Sequence, residues 1–421
     1  MARLLRRVPA EELQAQGPSP RDPEAAAVAG RIVEDVRTGG EPALRTYAER
    51  FDGLDPGAPL VLGPSLLDEA LASLAADERA LLERTAGRIR SFAEAQRDCL
   101  APLDVPVPGG RAGHRWLPVA SAGAYAPGGR YPLPSSVLMT AVPARVAGVE
   151  RVWLASPRPT RATLAAAAVA GVDAVIPVGG AQAIAALALG TLGPPVDVLA
   201  GPGNRYVTAA KRHLYGEVGL DGLAGPSELV VVADASADPA SVAADLLAQA
   251  EHDPRAVAVL VTTAPALLEQ VEAALEAQLA ELPTQGVAGA ALRSQGAGVL
   301  VQDLEAAARL VDRLAPEHLH LAVAEPRDLA EALRSYGALF VGGASGEVFG
   351  DYGAGPNHVL PTGGGARYQA GLSVLTYLRP ATFLELEDPG PLARDTAALA
   401  RLEGLEAHAR AAEQRPATLL R

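Results

Sequence analysis

Gln249 and His252 form the first pair of side chains that could do chemistry together. They stand in Gln249-Ala-Glu-His252, at the end of a predicted helix. Side chains at positions i and i+3 of a helix lie on one face, so a metal ion could take the amide oxygen and an imidazole nitrogen. The helix dipole alone also favours a histidine at a helix carboxyl end. The pair therefore indicates a metal site only when other ligands accompany it.

Two further segments place acids beside histidines. A loop rich in glycine and proline runs from Asp351 to Asn357-His358. Turn chemistry explains its glycines but not the acid, the amide and the imidazole together. Glu317-His318 follows a predicted helix and offers two adjacent proton-transfer groups with different ordinary pKa values. A solvated pair of loop residues is the alternative interpretation of Glu317-His318.

Glu403 and His408 lie on a predicted helical segment near the C-terminus. Five residues apart on an ideal helix, their side chains stand about 140° apart around its axis. They share a face only if the helix ends or distorts between them, which Gly404 permits. Taken alone, the pair is typical of a solvent-facing helix.

Three glycine-rich loops could bind a phosphate group. They are Tyr125-Ala-Pro-Gly-Gly129, Val178-Gly-Gly-Ala-Gln182 and Ala200-Gly-Pro-Gly-Asn204. The second and third link a predicted strand to a predicted helix, where backbone N–H groups and the helix N-terminus favour an anion. None of the three matches G-x-G-x-x-G or the P-loop pattern. Such loops are common in α/β proteins, but three in one half of the chain indicate a dinucleotide site.

The elements that must position these groups alternate between strands and helices from about residue 120. Strand-like runs at 152–155, 174–178 and 196–200 alternate with helix-like runs at 163–171, 181–189 and 206–215. The alternation restarts at Leu229 and continues to Val341. This pattern predicts parallel sheets covered on both faces, hence two α/β units with a ligand cleft between them. Amphipathic helices are predicted at 24–39, 66–97 and within 386–414.

Composition excludes several classes of function. The chain has 421 residues, a formal net charge of -13 and one cysteine, Cys99. The negative charge argues against nucleic acid as the main partner, because phosphate binding needs a basic face. One cysteine excludes an internal disulfide and a multi-cysteine metal site, and favours a reducing cytoplasm. The uncharged run 174–196 is broken by prolines and glycines, so no membrane span is expected.

Rare residue types mark three positions. Lys211 is the single lysine, and Asn204 and Asn357 are the two asparagines, in a chain that otherwise uses arginine and alanine heavily. We interpret their survival as a sign of specific chemical need. Three histidines have no acidic or glycine-rich context and are predicted to be ordinary surface or locally hydrogen-bonded residues: His114, His213 and His320.

Seven motifs, in this order, resemble the histidinol dehydrogenase family, and the resemblance extends from about residue 25 to 410. They are Tyr125-Ala-Pro-Gly-Gly, Gly179-Gly-Ala-Gln-Ala-Ile-Ala-Ala-Leu, Gly201-Pro-Gly-Asn-Arg-Tyr-Val, Ala224-Gly-Pro-Ser-Glu, Gln249-Ala-Glu-His, Ala315-Pro-Glu-His-Leu and Gly355-Pro-Asn-His-Val-Leu-Pro-Thr. The resemblance implies NAD-dependent, four-electron oxidation of L-histidinol to L-histidine through L-histidinal, the last steps of histidine biosynthesis.

The same resemblance implies roles for particular residues. Glu317 would act as base for water, and His318 would take the hydroxyl proton. One zinc ion per subunit would be bound by Gln249, His252, Asp351 and His408. The substrate would contact those four residues together with Ser227, His318, His358 and Glu403. NAD would contact Tyr125, Gln182 and Asn204.

The family's architecture implies two incomplete Rossmann-like parallel-sheet domains, a short N-terminal arm and a small helical C-terminal tail. The predicted boundaries are 1–20 for the arm, 21–121 with 227–372 for the first domain, 122–226 for the second and 373–421 for the tail. The first domain would carry zinc and catalysis, and the second would bind NAD. The resemblance also implies a cytoplasmic homodimer in which the tail crosses to the partner, so that each site is shared.

Three alternatives stay open on the residues alone. A zinc hydrolase could use Glu317 as its base, with the glycine loops serving only as turns; it would bind no NAD. A non-catalytic α/β binding module could keep the fold, but would be expected to have lost ligands that this chain retains. A related dehydrogenase could act on another amino alcohol.

Overall fold

The computed structural model describes residues 3–14, 22–128 and 131–415. Within these ranges the chain forms two parallel sheets and one antiparallel sheet. This confirms the predicted α/β class. No helix in the described part of the chain is long and apolar enough to span a bilayer.

The strands, in chain order, are β1 (Arg6–Arg7), β2 (Leu103–Val107), β3 (Gly110–Pro118), β4 (Ser121–Tyr125), β5 (Arg151–Ala155), β6 (Ala174–Ile176), β7 (Val198–Ala200), β8 (Gly219–Leu220), β9 (Glu228–Ala233), β10 (Val257–Thr262), β11 (Ala297–Leu300), β12 (His318–Ala322), β13 (Ala338–Val341) and β14 (Leu378–Leu386). The α-helices are α1 (Pro23–Tyr47), α2 (Pro64–Ala72), α3 (Ala76–Asp98), α4 (Pro134–Ala147), α5 (Arg161–Ala170), α6 (Gly180–Leu189), α7 (Arg205–Leu214), α8 (Pro239–Ala250), α9 (Pro265–Glu281), α10 (Gln285–Gln295), α11 (Leu304–Leu314), α12 (Pro326–Ala332), α13 (Glu347–Tyr352), α14 (Gly390–Leu402) and α15 (Glu406–Glu413).

The five-stranded sheet has the order β6-β5-β4-β7-β8, and all its strands are parallel. The chain builds outward from β4 to β5 and β6, then returns to place β7 on the other side of β4. The strand order therefore reverses between β4 and β7. At such a switch point, the loops after the two strands diverge and leave a crevice at their carboxyl ends.

The six-stranded sheet has the order β1-β11-β10-β9-β12-β13 and is also parallel. Its strand order reverses between β9 and β12. Strands β9 and β10 are buried along their whole length, as expected where helices cover both faces of a parallel sheet. The N-terminal arm contributes β1 to the edge beside β11, and Leu4 and Leu5 are buried in the core there.

The antiparallel sheet has the order β14-β3-β2. Nine residue pairs join β14 to β3, from Leu378 opposite Pro118 to Leu386 opposite Gly110. Helices α14 and α15 follow β14 and pack against each other through Ala397, Ala400 and Ala409. The C-terminal region thus contains two helices, as predicted, and a strand that pairs with residues 110–118.

The packing of the N-terminal helices differs from the predicted grouping. Helix α1 packs against α6 and α7, α2 against α5, and α3 against α4. Their buried residues share two cores with the five-stranded sheet. Residues 23–98 therefore pack on the sheet that begins at Ser121, whereas the sequence analysis grouped residues 21–121 with 227–372. The exact domain boundaries stay a prediction.

The helix predicted at 66–97 is two helices. Helix α2 ends at Ala72, and α3 begins at Ala76, where the Glu78 carboxylate accepts a hydrogen bond from the Ala75 N–H at 3.1 Å. This contact satisfies a backbone donor that a helix start would otherwise leave free, and so favours a new start at this point. The prediction of a single helix was wrong here.

Candidate active site

The pair Glu317-His318 lies at the amino end of β12, beside the amino end of β9. Helix α11 ends at Ala315, which has left-handed backbone torsions (φ 49°), and the chain then turns into the strand. The buried Glu317 carboxylate accepts hydrogen bonds from the Ser227 hydroxyl at 2.7 Å and from the Glu228 N–H at 2.8 Å. Burial raises the pKa of Glu317. The structure therefore brings the predicted base and Ser227 together.

His318 is held at both ring nitrogens. Its Nδ1 lies 3.2 Å from the Glu228 carbonyl oxygen, and its Nε2 lies 3.3 Å from Asp351 Oδ1. Its ring stacks on Phe340, with 6.0 Å between the ring centroids. Burial alone lowers the pKa of His318, but the carboxylates of Glu317 and Asp351 outweigh burial and raise it to about 10. Since both ring nitrogens face acceptors, the contacts of this ring favour its protonated form.

Asp351 lies on α13, which follows β13 and returns along the sheet toward the amino end of β12. Burial would raise its pKa, but the hydrogen bond to His318 and the nearby charges of His318, His358 and His252 lower it. His358 Nδ1 donates to the Asp351 carbonyl oxygen at 3.0 Å, and His358 Nε2 lies 3.3 Å from the Ser136 hydroxyl. Burial lowers the pKa of His358, and the Asp351 charge and carbonyl oxygen oppose that shift. Asp351 and His358 thus belong to the same site as His318.

Gln249 and His252 approach this site from the carboxyl end of α8. Gln249 is buried and ends the last turn of the helix, whereas His252 lies just beyond it and is exposed. The amide nitrogen of Gln249 is buried and has no hydrogen-bond partner. An unpartnered buried N–H donor is costly unless an acceptor completes its contacts. The oxygen of the same amide is the atom that a metal ion could take. Oxygen and imidazole donors suit zinc.

Glu403 and His408 are not brought to these residues. Glu403 caps the end of α14, His408 lies on α15, and both are exposed. In the described ranges, no three His, Cys, Asp or Glu side chains are grouped to hold a metal ion. Within one chain, the proposed ligands Gln249, His252 and Asp351 are therefore separate from the C-terminal pair Glu403 and His408.

The sequence analysis missed the role of His320. The Nδ1 of His320 lies 2.9 Å from Asp245 Oδ2, and its Nε2 lies 3.0 Å from the Gly342 carbonyl oxygen. Burial lowers the pKa of His320, but these two acceptors outweigh it and raise the pKa. The ring ties α8, one turn before Gln249, to the loop that leads to Asp351. Strand alternation could have found it, because His318 and His320 lie on the same face of β12.

Glu347 is a second residue that sequence reasoning missed. It is buried, and its Oε2 has no hydrogen-bond partner. Burial raises its pKa well above the ordinary value, and the charge of His318 opposes that shift. Glu347 precedes Asp351 by four residues on α13, so the two carboxyl groups share one helix face. That spacing is the signal that could have found it.

The predicted NAD contacts lie at the carboxyl edge of the five-stranded sheet. Tyr125 ends β4, and its buried hydroxyl accepts a hydrogen bond from the Gly180 N–H at 3.2 Å. Burial raises its pKa to about 12. Gln182 on α6 donates to Asp52 at 3.2 Å. Asn204 is exposed and caps α7, where its Oδ1 accepts from Tyr206 N–H at 2.9 Å.

These residues surround the switch point between β4 and β7, where a dinucleotide would lie beside the N-termini of α6 and α7. Gly129, the last residue of the first glycine-rich loop, lies outside the described residues.

Comparisons with known proteins show the family to which this chain belongs. The sequence model of the histidinol dehydrogenase family matches residues 17–416. The histidinol dehydrogenase of Cereibacter sphaeroides is 47% identical over 394 residues, which cover 92% of this chain and 91% of that protein. The histidinol dehydrogenase of Caulobacter vibrioides is 46% identical over 408 residues, or 94% of this chain and 93% of that protein.

The chain belongs to the histidinol dehydrogenase family. A solved structure supports this at the level of the fold: the crystal structure of histidinol dehydrogenase from Elizabethkingia anophelis superposes with a TM-score of 0.91 and 31% identity, and covers 98% of both chains. In the structure, the predicted site residues form two separate clusters of polar residues, one at the amino edge of the six-stranded sheet and one at the carboxyl edge of the five-stranded sheet.

Proposed function

We propose that this chain catalyses the NAD-dependent oxidation of L-histidinol to L-histidine through L-histidinal, the last steps of histidine biosynthesis. The observation that carries the proposal is the cluster in which Glu317, His318, Ser227 and Asp351 contact one another at the amino edge of the six-stranded sheet. Two proton acceptors of different kinds, one carboxylate and one imidazole, suit a reaction that removes protons at two successive stages.

Zinc and NAD are part of this proposal. Zinc would be held by Gln249, His252 and Asp351, with His408 supplied by a second subunit. When bound, zinc supplies a template that orients the substrate through its imidazole and amine, and NAD supplies the acceptor of the hydride. The features that favour this metal assignment are the Gln249 amide oxygen at the end of α8 and the carboxylate of Asp351, whose pKa is lowered beside His318, His358 and His252.

His318 takes the hydroxyl proton in this proposal, through Nε2. Its Nδ1 is engaged by the Glu228 carbonyl oxygen, so this nitrogen carries the N–H and Nε2 is the atom that can accept a proton. A base must start as the neutral ring. The neutral form is favoured when another cation engages the Asp351 carboxylate, because that carboxylate is one of the groups that hold the proton on His318.

Glu317 acts on the water that hydrates the aldehyde. Its carboxylate is fixed by two donors, the Ser227 hydroxyl and the Glu228 N–H, so its orientation is set before substrate binds. The substrate would also contact Ser227, His358 and Glu403. Tyr125, Gln182 and Asn204 would contact NAD at the switch point of the five-stranded sheet.

The shared site requires a homodimer, which we propose together with a cytoplasmic location. The support is that Glu403 and His408 are exposed and separate from the other proposed ligands within one chain. A C₂ dimer would give two equivalent sites, each with a tail from the partner.

The decisive experiment follows NADH absorbance with L-histidinol, before and after treatment with a chelator and then after adding back zinc. We expect two NADH per histidinol, loss of activity on chelation and recovery with zinc. A zinc hydrolase would give no NADH. A dehydrogenase of another amino alcohol would give a higher kcat/KM with that alcohol than with histidinol, measured in the same assay.

A further inference from the structure

Lys211 is the single lysine of a chain that has 36 lysine and arginine residues in total. It lies in the last turn of α7 and is 3% exposed. Its Nζ donates to the Gly201 carbonyl oxygen at 2.6 Å and to Asp221 Oδ1 at 2.7 Å. A buried ammonium is costly unless it is paired and hydrogen-bonded, and this one is both.

Asp221 contacts the other backbone polar group of the same residue, Gly201. Its Oδ2 accepts a hydrogen bond from the Gly201 N–H at 2.6 Å, while its Oδ1 pairs with Lys211. The ion pair thus holds both the N–H and the C=O of Gly201. Gln369 in turn donates to the Asp221 backbone carbonyl oxygen, which fixes the segment that carries the carboxylate.

Gly201 lies at the switch point between β4 and β7. It follows β7 directly and has φ +121°, a torsion that favours glycine. A Cβ at this position would overlap the carbonyl oxygen of Tyr125 at the end of β4. Gly201, whose backbone Lys211 and Asp221 hold, therefore lies against Tyr125. The same loop ends at Asn204, which caps α7.

Geometry explains why this position is a lysine in a chain rich in arginine. An ammonium places three N–H donors around one atom, whereas a guanidinium spreads its donors over a planar fork. Here one atom must reach a backbone carbonyl and a carboxylate inside a closed space. A guanidinium would have to displace the Gly201 loop to fit.

We propose that the Lys211–Asp221 ion pair is a positioning element for the dinucleotide loop, which sets the Gly201–Asn204 backbone for NAD without touching the reacting atoms. The proposal rests on the assignment of this loop to NAD.

The test uses the single lysine as a reporter. Protein made with [ε-¹³C]lysine in a deuterated background gives one lysine side-chain signal by NMR, since no other lysine is present. We expect this signal to shift on titration with NAD. Calorimetry on the same sample measures NAD binding independently. NAD binding without any change in the lysine signal would overturn the proposal and leave the proposed function intact, whereas no NAD binding at all would overturn both.

Two variants extend the test. Lys211→Arg and Asp221→Asn are each expected to weaken NAD binding by about 10–100-fold, the usual effect of losing a hydrogen bond to a charged group. Zinc content is expected to stay at the wild-type value. Val142→Ala opens a cavity in the core beside the five-stranded sheet, so it controls for general destabilisation and is expected to leave NAD affinity unchanged. Unchanged NAD affinity in folded Lys211→Arg would contradict the proposal.

Discussion

The Ser227 hydroxyl donates a hydrogen bond of 2.7 Å to the carboxylate of Glu317. Ser227 immediately precedes β9 and Glu317 immediately precedes β12, and these two strands are neighbours in the six-stranded sheet. Since the Glu228 N–H holds the same carboxylate oxygen, Glu317 cannot turn freely toward His318, whose Nδ1 lies 3.7 Å away. The adjacent acid and imidazole are therefore separately anchored, which allows them to do different jobs.

Separate anchoring predicts separable half-reactions. Glu317→Gln should still oxidise histidinol to the aldehyde, because His318 keeps its contacts with Glu228 and Asp351. With added histidinal, the kcat of the same variant should fall by about 10²–10⁴-fold. His318→Asn should be impaired in oxidation of the alcohol as well. Stopped-flow NADH formation with each substrate measures both steps.

Ser227→Ala is the matched control for Glu317→Gln, because it removes one donor to the carboxylate and leaves the carboxylate itself. It should slow the aldehyde step by less than Glu317→Gln does. An equal loss of both half-reactions in Glu317→Gln would show that the two residues share one role.

Asp351→Ala should lose zinc. The substitution removes a proposed ligand, and the expected fall in zinc affinity exceeds the roughly 10–100-fold that follows loss of an outer partner. Zinc content after dialysis against a weak chelator measures this, with circular dichroism to verify the fold. Asp253→Asn is the control, because its carboxylate lies beside His252 but accepts from the Arg255 N–H at 2.9 Å. Full zinc content in Asp351→Ala would exclude Asp351 as a ligand.

Much of the parallel-sheet framework could be predicted from the sequence, because buried parallel strands carry continuous apolar runs. The strand predicted at 152–155 and the restart predicted at Leu229 each lie within one residue of the observed strands, Arg151–Ala155 and Glu228–Ala233. Helix α4 was not predicted, because eleven of its fourteen residues are buried and no polar face reveals its period. The antiparallel sheet was also missed. Its strands are mostly exposed and contain Pro106 and Pro380, which weaken a strand pattern.

The candidate site likewise contains residues that the sequence could predict and residues that it could not. The segments carrying Glu317-His318 and Asp351 could be predicted from the sequence, because in both an acid stands near a histidine in a turn-rich stretch. His320 did not, since its partner Asp245 lies 75 residues away and only the fold brings them within 2.9 Å. The unpartnered oxygen of Glu347 is likewise a property of packing rather than of local sequence.

Glu228 should make stability depend on pH. Burial, and then the charge of Glu317, raise its pKa from 4.5 to about 7, while the Gly363 N–H and the charge of His318 oppose the shift. The folded chain then binds a proton that the unfolded chain has released, so this group's contribution to the free energy of unfolding falls as pH rises from 4.5 to about 7. Glu228→Gln should flatten that slope and stabilise the chain above pH 7, by at most about 3 kcal/mol.

Urea midpoints from pH 5 to 8 measure the Glu228 effect. Glu305→Gln is the control, since this exposed carboxylate on α11 pairs with Arg309 at the surface. The idea fails if wild type and Glu228→Gln show parallel pH profiles.

Mixed dimers should recover activity if the tail crosses between subunits. His318→Ala damages the body of a site and His408→Ala damages the tail. In a mixed dimer one site carries both lesions and the other carries none. Random pairing makes about half of the dimers mixed, so about a quarter of all sites should be active. NADH formation by the co-expressed pair, compared with each variant alone, gives the answer.

Absence of recovery in dimers shown by mass to be mixed would place His408 in its own chain's site. As a control, His318→Ala should be co-expressed with Glu317→Gln. Both lesions lie in the body, so every site in a mixed dimer keeps one of them and no recovery of the complete reaction is expected.

The pairing of Arg6 with Ala297 fixes the order in which parts of the chain can assemble during translation. The arm is translated before its partner strand, which follows about 290 residues later in the chain. At roughly 5–20 residues per second, the arm waits about 15–60 s before that partner exists. During this interval α1, α2 and α3 can already pack on the five-stranded sheet, whose last strand ends at Leu220. The helices and strands of the five-stranded sheet can thus assemble before the arm docks, because the arm needs β11 of the six-stranded sheet, which is translated later.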